Sequence, residues 1–212
     1  MSRLAALLSA CLLAAGLGAA PGAWELRFID QQGEPVPDAV ASLVPLDAAA
    51  PPAATDRPEI MQEGQQFAPY VTVVQTGSIV VFPNRDTVQH HVYSVSKARR
   101  FELPLYMPGK AEAVTFGEPG VVVLGCNIHD WMAAYLVVVP TPWFAKSGAS
   151  GTAALAAPAG RYRLEIWHPR LGKPLARDIT LADRNAPLGY TLTLKPDRRI
   201  RRPTDPKSGG YK

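Results

Sequence analysis

The chain has 212 residues, 47% of them hydrophobic and 19% charged, which is enough apolar mass to bury a core in one or two domains. Its formal charge of +4 is uneven: residues 195–212 hold Lys195, Arg198, Arg199, Arg201, Arg202, Lys207 and Lys212 against only Asp197 and Asp205. The body ahead of that tail is therefore slightly acidic and the basic character lies in the tail; nucleic acid is not the expected partner of a chain that reads as exported.

In chain order, Arg3 is followed by the uncharged apolar run 4–20, which ends in small residues. That run reads as a secretory signal peptide over 1–22, cleaved near Ala19–Ala23, because it falls short of the roughly 20 residues that a membrane span needs. The expected compartment is the periplasm. Leu8-Ser9-Ala10-Cys11 resembles a bacterial lipobox, but the short apolar stretch before it makes lipid anchoring at Cys11 the lesser expectation. Cleavage downstream leaves Cys126 as the sole thiol. A single thiol forms no internal disulfide and needs another use.

Beyond the signal, residues 24–29 alternate large apolar and polar side chains, Gly33 marks a turn, and 40–46 reads as a second strand. The Ala/Pro-rich stretch 48–55 reads as a linker, since proline cannot donate to a strand ladder. From residue 57 short apolar runs follow one another at 71–74, 79–82, 90–96, 101–105, 113–116, 121–126 and 134–139, separated by Pro, Gly and Asn. No segment has a helical period. The spacing predicts an all-β fold with an antiparallel sandwich over 57–141.

After a stretch of small residues, 161–168, 176–181 and 190–194 alternate again. These strands are too few to close a domain, and the pair over 23–48 has the same deficit. The two ends are expected to pair with each other, so that 23–48 and 149–195 form a second, small β-sandwich around the inserted one. Residues 196–212 are read as a basic disordered tail with affinity for an acidic protein or an anionic membrane.

Directly after the run 121–124 stands Gly125-Cys126-Asn127-Ile128-His129-Asp130-Trp131-Met132, with thiol, imidazole and thioether at i, i+3 and i+6. A second imidazole stands upstream at His90 or His91, and alternation on a strand lets only one of the two face Cys126. One Cys, two His and one Met form the ligand set of a mononuclear blue-copper centre, in which soft sulfur suits Cu(I) and imidazole suits Cu(II). Zinc ranks below copper, because structural zinc sites use more cysteines and catalytic ones rarely use Met. Taken singly, each residue has an ordinary reading: Cys126 a buried thiol, His129 a loop histidine, Met132 core filler.

These residues carry a family resemblance. Residues 67–132 resemble the cupredoxins, and among them the amicyanin-like group, in the C-x₂-H-x₂-M spacing and in Phe82-Pro83-Asn84-Arg85-Asp86 followed by His90. With Val92-Tyr93-Ser94, the stretch is most similar to the methylamine-utilisation proteins of that fold. The resemblance implies a Greek-key sandwich holding one type 1 copper through His90, Cys126, His129 and Met132, and single-electron exchange with a protein redox partner. Two departures stand out: His91 does not supply the Asn that ties the two ligand loops together in familiar cupredoxins, and Asp130 replaces a proline. Asp30-x₂-Gly33-x-Pro35-Val36-x₂-Ala39 and Pro158-Ala159-Gly160-x-Tyr162-x-Leu164 are similar to carboxypeptidase-regulatory or transthyretin-like sandwiches. That likeness implies a fold and no chemistry.

An independent enzyme is not expected. The chain has four histidines, none adjacent to Cys126, so a second copper centre lacks ligands, and G-x-S-x-G and H-E-x-x-H motifs are absent. The alternatives are a copper-delivery protein without redox turnover and an envelope-binding scaffold. Trp131, Leu105, Met107 and Pro108 suit either a docking patch or ordinary packing, and His168 is read as structural.

Overall fold

The structure, a computed structural model, describes residues 23–52, 57–182 and 187–200. The expected signal peptide, Cys11 and residues 201–212 of the tail lie outside the described residues. Sixteen strands and no helix appear among them. In chain order they are β1 (Ala23–Asp30), β2 (Val40–Pro45), β3 (Met61–Glu63), β4 (Gln66–Ala68), β5 (Val71–Gln75), β6 (Ile79–Pro83), β7 (Tyr93–Val95), β8 (Arg100–Glu102), β9 (Ala111–Thr115), β10 (Gly120–Gly125), β11 (Ala133–Val139), β12 (Phe144–Lys146), β13 (Thr152–Ala156), β14 (Gly160–Trp167), β15 (Leu175–Leu181) and β16 (Leu188–Leu192). The fold is all-β.

The first and last described strands interlace. Strand β1 is the middle strand of the order β13-β1-β16, and β2 lies inside the order β12-β2-β14-β15. Period-2 patterning explains this placement: Trp24, Leu26 and Phe28 point inward while Glu25 and Arg27 point to solvent. Those three side chains meet Leu43, Leu155, Leu164, Ile166 and Leu192 in one core. Between β2 and β12 the chain builds a separate body, with the sheet β5-β11-β10-β7-β8, the pairs β6-β9 and β3-β4, and a core that includes Ile60, Phe82, Phe116, Leu124 and Leu136. An apolar seam of Val40, Val71, Val137 and Val139, flanked by Phe144 and Trp167, joins the two bodies.

Several elements differ from the sequence reading. The strand predicted from residue 90 begins only at Tyr93, and His90 is held by a lone bridge to Tyr106. The cause is local: Asn84 donates from Nδ2 to the carbonyls of Val88 and Tyr106 and accepts the Asp86 N–H, so the stretch before His90 is held as a loop. The stretch of small residues at 147–159 contains β13, whose Ala153 and Leu155 are buried against β1. Strand β12 pairs with β2 ahead of the expected boundary at 149. Residues 196–200, read as the start of a free tail, pack back on the body, with the Arg199 guanidinium 4.2 Å above the Tyr70 ring.

Candidate metal centre

Three of the four predicted ligands sit on the connection between two paired strands. Strand β10 ends at Gly125, which is in register with Ala133 at the start of β11, so residues 126–132 form a closed loop. Within it the Met132 N–H donates to the His129 carbonyl at 2.9 Å, turning Met132 back inward. Met132 is 2% exposed and belongs to the same core cluster as Cys126, which is 5% exposed.

His90 arrives from elsewhere in the chain. Tyr93 on β7 is in register with Gly125, and a β-carbon on Gly125 would lie 2.8 Å from the Tyr93 ring. Glycine therefore lets β7 lie close to the end of β10, which carries the segment before it over Cys126. The Tyr106 backbone clamps that segment, giving an N–H to the His90 carbonyl at 3.1 Å and accepting one from His90 N at 3.3 Å.

The result is a compact donor set. His90 Nδ1 and His129 Nδ1 each lie 4.0 Å from Cys126 Sγ. All three donor atoms lie within 4.8 Å of one another. With metal–nitrogen bonds of about 2.1 Å and metal–sulfur bonds of about 2.3 Å, a trigonal arrangement puts N and S roughly 3.8 Å apart, so an ion fits with shifts of a few tenths of an ångström. His90 is fully buried and His129 half-buried, which leaves one imidazole of the pair near the surface.

Asp86 was missed in the sequence. His90 Nε2 lies 2.7 Å from Asp86 Oδ2, and the same carboxylate accepts the N–H groups of Gly64 at 2.6 Å and Gln65 at 2.8 Å. Burial disfavours the ionised carboxylate, but the bonds from Gln65, His90 and Gly64 outweigh it and hold the pKa of Asp86 below the usual range. A carboxylate on the far nitrogen fixes the ring with Nδ1 toward the thiol, the arrangement that orients metal-binding histidines.

The β3–β4 turn also reaches the second ligand loop, since the Gln65 carbonyl accepts Trp131 Nε1–H at 2.9 Å. One two-residue turn, with Gly64 and Gln65 both at positive φ, therefore ties the His90 segment to the 126–132 loop. His91 has no part in this. Its Nε2 lies 2.9 Å from Glu102 Oε1, and it is not among the three donors that converge. The sequence signals for the clasp were faint: an acid four residues before His90, and a Gly-Gln turn between strands of three residues.

No protein-family model and no curated protein matches the chain. Similarity to solved structures is found. A copper-containing nitrite reductase from Thermus scotoductus is 25% identical over 44% of this chain, at a TM-score of 0.38, and the chain spans a quarter of that protein's length. A purple cupredoxin from Nitrosopumilus maritimus is 22% identical over 38% of this chain and 98% of its own, at a TM-score of 0.35. An amicyanin mutant in the Cu(I) form is 21% identical over 46% of this chain and 97% of its own, at a TM-score of 0.37.

The remaining histidine serves packing. His168 is 6% exposed, and its Nδ1 accepts the Arg170 N–H at 3.2 Å while a further bond runs to the Pro37 backbone. Burial, helped by the nearby Arg170, lowers its pKa to about 4. Leu105 and Met107 are exposed, and Trp131 is half-buried beside His129.

Proposed function

We propose that this chain is an exported cupredoxin-like protein that holds one type 1 copper ion through His90, Cys126, His129 and Met132 and carries single electrons between redox partners. The observation behind this reading is the convergence of two imidazole Nδ1 atoms on one buried thiol at 4.0 Å each. Copper bound there would supply one-electron exchange, because thiolate and imidazole together suit both of its oxidation states.

The protein's own part is rigidity. Asp86 and the Gly64–Gln65 turn hold the His90 ring, the β10–β11 register holds Cys126 and Met132, and the core behind them excludes water. A centre that changes shape little between oxidation states exchanges electrons with little reorganisation. The half-buried His129 ring is the natural exit to a partner.

The test is an optical and EPR spectrum of the mature chain after copper loading. An intense visible thiolate-to-copper band, lost in Cys126→Ser, supports the reading. A colourless complex that holds only Cu(I) turns it toward copper delivery, and absence of copper uptake refutes it.

A further inference from the structure

A cleft of about 1080 Å³ opens between the two bodies, next to the loop that carries His129. One wall is aromatic, made of Phe67, Tyr70, Trp131 and Tyr135, and the opposite wall is Arg170, Lys195, Arg198 and Arg199. Trp131 connects the cleft to the donor set. Its ring centroid lies 5.3 Å from that of His129, and its Nε1–H is pinned to the Gln65 carbonyl.

The cations are only partly neutralised. Arg199 is bonded to Asp197 and stacked on Tyr70, and Asp130 is the other acid at the rim. Lys195 and Arg198 form no ion pair among the described residues, and Arg170 lies close enough to Asp197 to help hold that carboxyl's pKa down. The Arg170 Nε–H donates to the Lys195 carbonyl at 2.6 Å, so the basic wall is fixed in place. The cleft is too wide for a single small anion and suits a loop carrying several acidic side chains. Uncompensated positive charge beside an aromatic wall attracts such a loop and steers its approach.

We propose that this cleft docks an acidic electron-transfer protein, placing the partner's carboxylate-rich loop against Lys195 and Arg198 and its redox group against Trp131, one aromatic ring from His129. The proposal rests on the electron-carrier reading and adds the surface and the charge of the partner.

The test compares the full chain with Lys195→Glu/Arg198→Glu, whose two side chains make no hydrogen bond or ion pair among the described residues. On metal-free protein, the redox-inert paramagnetic trianion hexacyanochromate(III) should broaden the Trp131 indole N–H resonance, a short poly-glutamate peptide should displace it, and the double variant should lose the effect. This arm needs no copper. On protein loaded with Cu(II), ferrocyanide gives one electron to the copper and becomes ferricyanide, leaving Cu(I). Its rate should fall by roughly tenfold or more in the double variant, while the rate with the cationic donor hexaammineruthenium(II) should not fall.

An absent indole effect, or one that the double variant retains, overturns the cleft as the docking site, as does an unchanged ferrocyanide rate. Binding of hexacyanochromate that poly-glutamate cannot displace reassigns the cleft to small anions. Co-sedimentation with phosphatidylglycerol vesicles that the double variant loses, without competition by poly-glutamate, replaces the protein partner with a membrane surface. A protein that binds the trianion but never turns blue fails the copper reading alone.

Discussion

His90 and His168 are both buried, one in each body, and their surroundings are opposite. His168 accepts the Arg170 N–H on Nδ1 and is bonded to the Pro37 backbone, both in its own body, so its neutral ring closes a polar gap. His90 spends one nitrogen on a carboxylate held by two backbone N–H groups and turns the other to a thiol. Burial alone does not mark a functional histidine. What marks it is a nitrogen left over after the fold has been satisfied, facing other donors.

The sharpest way to break this comparison is to exchange the losses. His90→Gln should abolish the visible copper band, and His168→Gln should leave the band intact while lowering the melting temperature of the apoprotein. Loss of the band in the second variant would show that the outer body contributes to the centre.

The next effect is on stability against pH. With its pKa depressed to about 4 in the fold, against an ordinary value of 6.5, His168 stabilises the neutral-ring fold above pH 6.5 and loses that contribution as pH falls toward 4. Arg170 and Arg199 oppose its protonation and Asp38 favours it. Wild-type apoprotein should lose about 3 kcal/mol more than His168→Gln between these pH values, measured by denaturant unfolding. Equal losses would mean that the ring titrates as if exposed.

A smaller effect is expected at Asp86. Asp86→Asn keeps a polar group against His90 but removes the charge, so copper affinity should drop about tenfold to a hundredfold with the visible band retained, as read by competition with a chelator. Unchanged affinity would reduce Asp86 to a loop residue. Smallest of all, Gly125→Ala should cost about 1–3 kcal/mol, because its β-carbon meets the Tyr93 ring at 2.8 Å. A melting curve matching wild type would show that Tyr93 moves freely.

The all-β class was legible because short alternating runs separated by Gly and Pro leave no room for a helical period. The approach of Cys126 and His129 was legible because they lie three residues apart and that spacing survives any fold that keeps the loop closed. The supports were not. Asp86, Gly64 and Gln65 meet across more than twenty residues of chain, and β3 and β4 are too short to show an alternation. Strand β13 was hidden for another reason: its Ala-rich sequence, TAALA, looks like a linker until β1 supplies the partner that buries Ala153 and Leu155.

The position of β1 has a consequence for how the molecule is made. The first described strand to leave the ribosome is flanked by β13 on one side and by β16, the last strand described, on the other. The donor-bearing body lies wholly between them in sequence and needs neither edge to complete its own sheets. Synthesis therefore favours an order in which the inner unit matures first and the wrapper closes over it only after β16 has emerged.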